Sequence, residues 1–117
     1  MAEHNLLGHK GEKMAVDYLR KEKYEILETN WRFRKKEIDI IARTEKLIIF
    51  VEVKTRQHDY FGAPEEAVTI TKQRFLIEAA DAYMQQLDFE AEARFDIISI
   101  VNKSIQHIQE AFIPLLD

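Results

Sequence analysis

Three strand-like segments follow one another with only short polar breaks: YEILETNWRF (residues 24–33), KEIDIIAR (36–43) and LIIFVEVKT (47–55). Parallel strands need a crossover of roughly a dozen residues or more, so segments this close fold back on each other as an antiparallel meander. Upstream, Leu7, Met14, Ala15, Tyr18 and Leu19 recur at helical spacing, with Gly11 on the same stripe, and predict a first helix ending near Lys23. Downstream, QHDYFGAPEEA (57–67) breaks the pattern, with Gly62 and Pro64 as punctuation, and reads as a mobile loop. Phe75, Leu76, Ala79, Ala80 and Tyr83 then predict a second helix over about residues 71–86. RFDIISIVN (94–102) reads as a buried fourth strand and SIQHIQEAF (104–112) as a shorter edge strand.

A strand, a helix and another strand make a parallel crossover, so strand four is expected parallel to strand three. The fold class is therefore α/β, a mixed sheet with helices packed on it, in the order α-β-β-β-α-β-β. With 117 residues, 46% of them hydrophobic, the chain suits one domain over 1–117 with a single core. Cysteine is absent, which excludes disulfides and thiolate metal sites and suits a reducing cytoplasm. The polar start MAEHNLLGHKGEK does not resemble a signal peptide, and no apolar run approaches the roughly 20 residues that span a bilayer, so no membrane role is expected.

A formal charge of −4 argues against non-specific coating of nucleic acid, which depends on neutralising phosphates. Cations nevertheless gather in WRFRKK (Arg32, Arg34, Lys35, Lys36), VKTR (Lys54, Arg56) and TKQR (Lys72, Arg74), while acids concentrate in LDFEAEARFD. A basic face on an acidic protein is compatible with that distribution.

The central strands carry charge where apolar residues would cost less. Side-chain alternation places Glu37 and Asp39 on one face, opposite Ile38 and Ile40, and groups Phe50, Glu52 and Lys54 opposite Val51 and Val53. A hairpin turn centred between Thr44 and Glu45 sets Asp39 against Phe50 and Glu37 against Glu52; centred one residue later, it sets Asp39 against Glu52. Either register brings Glu37, Asp39, Glu52 and Lys54 to one face, and a three-residue loop does not. Glu12, at the margin of the first helix's apolar stripe, adds an acid at the core edge. Such oxygens suit Mg2+, which takes one or two protein carboxylates and keeps several waters. Asp39, Glu52 and the Val53 carbonyl are candidate ligands, Glu12 a ligand through water or at a second ion, and Lys54 a candidate to orient or activate an attacking water. The competing reading is a half-exposed hairpin with one wet face, on which Lys54 relieves repulsion between Glu52 and Glu37.

Asp39 followed after a short hairpin by Glu52-Val53-Lys54 resembles the PD-(D/E)-x-K nuclease signature. GHKGEKMAVDYL, NWRFRKKEIDII, FVEVKTR, FGAPEEAVTITKQRFL, RFDIISI and HIQEAF together resemble the YraN-like family of small bacterial proteins, itself similar to archaeal-type Holliday junction resolvases. The resemblance implies a restriction-endonuclease-like fold and a metal-dependent endonuclease acting on structured or branched DNA, with Mg2+ or Mn2+ as cofactor. Its active-site set would be Glu12, Asp39, Glu52 and Lys54, with Glu37 a neighbouring acid. It also implies a twofold homodimer, for symmetrical cutting of two strands. Two positions depart from the pattern: the signature proline is Ile38, and Lys36 stands where relatives usually carry glycine before Glu-Ile-Asp. The alternative from another class is a nucleic-acid-binding or assembly protein that keeps the nuclease fold without significant catalysis.

Arg34, Lys36, Arg56, Lys72 and Arg74 are the candidate nucleic-acid contacts, Lys72 and Arg74 from the start of the second helix. Three of them have a plainer reading: a solvated helix start for Lys72 and Arg74, and a salt bridge to Glu37 or Asp59 for Arg56. Trp31 stacks on bases, or sits in the core or an interface. Asp96, in a buried strand, is expected to pair with Arg94 or cap a neighbouring element. His4, His9, His58 and His107 lack ligand spacing and receive no role. Ile105, Phe112, Ile113 and Leu115 serve either as a dimer interface or to close the monomer core.

Overall fold

A computed structural model describes residues 2–56 and 68–114, with side chains described from His9 onward. Helix α1 spans Ala2–Lys21 and is followed by strands β1 (Glu25–Phe33), β2 (Lys36–Thr44) and β3 (Leu47–Arg56). Helix α2 (Ile70–Met84) and strands β4 (Glu92–Val101) and β5 (Ser104–Phe112) complete the order expected from the sequence. The loop expected over 57–67 lies outside the described residues, as do Asp59 and Leu115.

Local chemistry sets the ends of these elements. Helix α1 stops where Lys23 takes a left-handed φ of 73°; the Lys23 N–H donates to the Arg20 carbonyl and the Tyr24 N–H to the Leu19 carbonyl. These are the two bonds that close a helix when the chain reverses through a left-handed residue. The β1–β2 and β2–β3 turns are two residues long, Arg34-Lys35 and Glu45-Lys46, and each opens on a residue with positive φ, 59° at Arg34 and 54° at Glu45. Asn102 and Lys103 both take positive φ in the β4–β5 turn. Positive φ at the first turn position matches the right-handed twist of the flanking strands. Helix α2 begins at the N-cap Thr69, whose hydroxyl accepts from the Lys72 N–H at 3.1 Å.

The sheet runs β1-β2-β3-β4-β5. β1, β2 and β3 are antiparallel neighbours, β3 and β4 are parallel over ten paired positions, and β5 returns antiparallel to β4. One helix covers each face. Ala15 and Leu19 of α1 pack on Ile40, Ala42, Ile49, Val51, Ile98 and Ile100. Leu76, Ala79, Ala80 and Tyr83 of α2 pack on Ile38, Ile41, Ile48, Phe50, Phe95 and Ile97. The expected single core is thus split into two layers by the sheet. Ile105 joins the first layer and Phe112 the second, so both close the core, while Ile113 is exposed. Trp31 packs edge-on against Tyr83 with ring centres 5.1 Å apart, partly buried against the core layer under α2.

Strict alternation fails within β2. Ile38 and Ile40, expected on a common face, pack on opposite layers, Ile38 under α2 and Ile40 under α1. Between the pairs Thr29–Ile40 and Trp31–Ile38, Asn30 takes φ 51°, a backbone conformation that breaks the pleat. The face change brackets Asp39. The helix covering the Phe50 and Glu52 face is α2, whereas the sequence pointed to α1; the apolar stripe of α1 instead meets Val51 and Val53 on the other face.

Candidate active site

The β2–β3 register follows from the Glu45-Lys46 turn. Thr44 faces Leu47 and Ile40 faces Val51, the register of a turn centred between Glu45 and Lys46. Beyond Ile40–Val51 the paired ladder stops. There the Val53 N–H donates to the Asp39 carboxylate at 2.8 Å, so the Asp39 side chain ties the two strands just past their last backbone pair. One residue before Val53, Glu52 is only 4% exposed and points under α2. Lys54, two residues further along the same strand, shares the Glu52 face by alternation and pairs across the parallel ladder with buried Ser99.

The two carboxyls strain each other electrostatically. Burial, contact with Glu52 and the negative charge of Glu52 push the Asp39 carboxyl up to about 8, against a smaller opposing effect of the Val53 N–H. Glu12 adds to the upward push from α1, so this half-buried acid from the opposite layer acts on the same site. Its position depends on Gly11. A Cβ there would collide with the Thr55 hydroxyl and lie 3.1 Å from Thr55 Cβ, so the absent side chain lets α1 approach β3 next to Glu12.

A cation partly offsets the acids. Lys72 Nζ of α2 lies 3.3 Å from Glu52 Oε2, close enough to pair but not aligned as a hydrogen bond, and that buried oxygen has no hydrogen-bond partner among the described residues. Glu37 leaves the group: it is exposed and faces Arg32 at 3.8 Å across the β1–β2 ladder. The face change at Asp39 separates it from the acids that alternation had joined to it.

The remaining candidate contacts form a fringe around the starts of β2 and α2. Arg34 pairs with Glu78 at 2.9 Å and lies over the Phe33 ring. Lys36 and Lys72 sit 5.5 Å and 5.6 Å from the centre of the Phe75 ring, and Arg74 is exposed. Arg56, at the end of β3, keeps Nε and Nη2 buried without a hydrogen-bond partner among the described residues.

A second polar cluster lies on the α1 side of β4. Asp96 is 1% exposed and accepts two bonds from Arg94 at 2.8 Å, one from His107 at 2.6 Å and one from the Glu110 N–H at 3.1 Å. Arg94 also donates to Tyr24 Oη at 2.8 Å, and Tyr18 Oη lies 3.0 Å from His107 Nδ1. One tautomer satisfies the chain: His107 Nε2–H donates to Asp96, and Nδ1 accepts from Tyr18. Burial works to raise the Asp96 pKa, but His107, Arg94 and the Glu110 N–H outweigh it and hold the carboxyl below its ordinary range. The Arg94 pairing matches the sequence reading, whereas His107 carried no expectation. Its signal was positional: it follows Ile105 by two residues on the inward face of β5 and pairs with Ile98.

Asp39 and Glu52 fit a hard divalent cation on two counts: two carboxyls close enough to interact within a partly buried site, and a buried Glu52 oxygen lacking a hydrogen-bond partner among the described residues. Among the described residues no three His, Cys, Asp or Glu side chains converge as a cage. An ion here would therefore rest on two carboxylates, with backbone and water oxygens completing its shell, as Mg2+ commonly does.

Fold and site together define a mixed α/β protein carrying a pair of acids, Glu52 buried and Asp39 half-buried, and lysines at the parting of two central strands. The chain belongs to the uncharacterised protein family UPF0102, whose model matches residues 11–100. It is 48% identical over 116 residues to a UPF0102 protein of Christiangramia forsetii, covering 96% of this chain and 98% of the relative. A UPF0102 protein of Bacteroides thetaiotaomicron is 46% identical over 120 residues, covering 99% of each. Among the described residues no helix is long and apolar enough to cross a membrane.

Proposed function

We propose that this protein is a metal-dependent endonuclease of restriction-endonuclease-like architecture, hydrolysing phosphodiester bonds in structured or branched DNA. The observation that carries the reading is the Asp39–Val53 tie beside buried Glu52, with Lys54 two residues on. Asp39, Glu52 and the Val53 carbonyl would hold Mg2+ or Mn2+, and Glu12 would approach from α1. A bound ion supplies positive charge against a phosphate and makes a coordinated water more acidic.

The chain's own groups do the rest. The Val53 N–H fixes the Asp39 carboxylate, so one ligand is oriented before any ion arrives. Lys54 supplies a cation beside the acids that orients the attacking water and offsets charge gathering on the phosphate. Arg34, Lys36, Arg56, Lys72 and Arg74 would receive the flanking backbone phosphates.

One observation favours a second reading, a nucleic-acid-binding or assembly protein without significant turnover: the Lys72 ammonium already lies against Glu52. Labelled junction, flap and linear DNA incubated with Mg2+ and either wild type, Asp39→Ala or Lys54→Ala separates the two. The nuclease reading requires cutting by wild type that both substitutions abolish. Absence of metal-dependent cutting, or cutting that survives both, favours the binding protein.

A further inference from the structure

We infer that Lys72 is the exchangeable counter-ion of the acid pair, competing with a divalent cation for Glu52; this rests on the metal-dependent reading above. Lys72 is the third residue of α2, in the first turn behind the Thr69 cap. The exposed N–H groups of a helix N-terminus carry partial positive charge, so acids are favoured there and cations disfavoured. The first turn of α2 contains no acid, and Lys72 occupies the position where a reciprocal capping glutamate would sit. Its helix gains nothing from this lysine. What Lys72 gains is Glu52, at 3.3 Å.

The two partners differ in freedom. The Glu52 side chain is 5% exposed and enclosed by the sheet and α2, whereas that of Lys72 is 30% exposed on a long flexible stem. The pair opens by movement of the lysine. Phe75, one turn along α2 with its ring centre 5.6 Å from Nζ, offers the ammonium an adjacent resting place. Among the described residues Glu52 Oε2 lacks an aligned donor, so the ammonium neutralises it without saturating it. A divalent ion on that oxygen and an ammonium 3.3 Å from it would repel strongly, so occupancy by one excludes the other. In the metal-free protein Lys72 limits the repulsion between Glu52 and Asp39. On metal entry it is released to the edge of α2, where Lys36 already flanks Phe75.

Calorimetric titration of Mn2+ into the full chain without DNA tests this, comparing wild type, Lys72→Met, Lys72→Gln and Glu52→Gln, with melting temperatures in EDTA and in Mn2+. Two neutral replacements guard against one that folds poorly. The expected result is Mn2+ binding about fivefold or more tighter without the ammonium, a lower melting temperature in EDTA that Mn2+ restores, and loss of binding in Glu52→Gln. Equal or weaker Mn2+ binding by both Lys72 variants, with wild type binding normally, overturns the counter-ion role and leaves the metal site standing. Absence of Mn2+ uptake by wild type and both Lys72 variants overturns the metal-dependent reading and the exchange with it.

Discussion

Asp39 and Val53 are joined by a hydrogen bond of 2.8 Å from a backbone N–H to a carboxylate, placed one step beyond the last β2–β3 ladder pair. The bond holds a charge-bearing side chain in the seam where two core strands separate, beside an acid that is almost fully buried. A chain selected only for stability would place apolar residues there.

The cost of that arrangement depends on pH. The Asp39 carboxyl is pushed from 3.8 up to about 8 in the folded protein, so between those values the native state holds a proton that the unfolded chain has lost. Stability linked to this group is full below about pH 4 and is lost as pH rises through about 8. Asp39→Asn removes the titration and keeps an oxygen for the Val53 N–H. Urea denaturation in EDTA is expected to give the smallest difference between variant and wild type near pH 4, with the variant pulling ahead as pH rises towards 8. Parallel pH profiles contradict this.

The Asp96 cluster has the opposite sign. Its carboxyl is held below the ordinary range, so its contribution is present above that range and is lost as acid protonates it. Asp96→Ala strands Arg94 and His107 without their acceptor and is expected to cost about 3–5 kcal/mol in denaturant unfolding at neutral pH. Tyr18→Phe, which removes one neutral bond to His107, is expected to cost about 1 kcal/mol.

Close approach of α1 to β3 gives a paired prediction. Gly11→Ala drives a methyl into Thr55 and is expected to destabilise by about 1–3 kcal/mol. Thr55→Ala removes the hydroxyl and methyl that the new group meets, so the double variant is expected to recover much of that loss. A double-mutant cycle showing additive costs contradicts the contact.

Arg34 and Lys36 lie on the β1–β2 turn and the first position of β2, and Lys36 lacks an acidic partner among the ion pairs of the described residues. If they meet phosphates, Arg34→Ala and Lys36→Ala each weaken DNA binding and flatten the log–log salt dependence by about one unit. Arg34 also pairs with exposed Glu78, a contact expected to alter stability by less than about 0.5 kcal/mol. Binding isotherms at several salt concentrations separate the two effects.

Much of the fold was legible because its signals are local. Short breaks forced the meander, periodicity marked both helices, and the intervening helix made β3 and β4 parallel neighbours. The β2–β3 register was narrowed to two choices, and a positive φ at Glu45 selects one. What escaped the sequence reading came from long-range geometry. The face change in β2 separates Ile38 from Ile40 and Glu37 from Asp39, opposite a positive φ at Asn30 of β1, and nothing in a period-two pattern marks it in advance. Lys72 was legible as a cation at a helix start, but its pairing with Glu52 requires knowing which face α2 covers. His107 carries no spacing signal along the chain, because its partners Asp96 and Tyr18 are 11 and 89 residues away.

The most direct measurement is the single-turnover cleavage rate of a labelled four-way DNA junction as a function of Mg2+, for wild type and Glu52→Gln. Glu52→Gln keeps the shape of the buried side chain and removes its charge. The expected result is a wild-type rate that rises and saturates with Mg2+, and a rate for Glu52→Gln lower by about 10²-fold or more at every concentration. A wild-type rate indifferent to Mg2+, or a Glu52→Gln rate matching wild type, would contradict the assignment of Asp39 and Glu52 as the metal-holding acids of a nuclease.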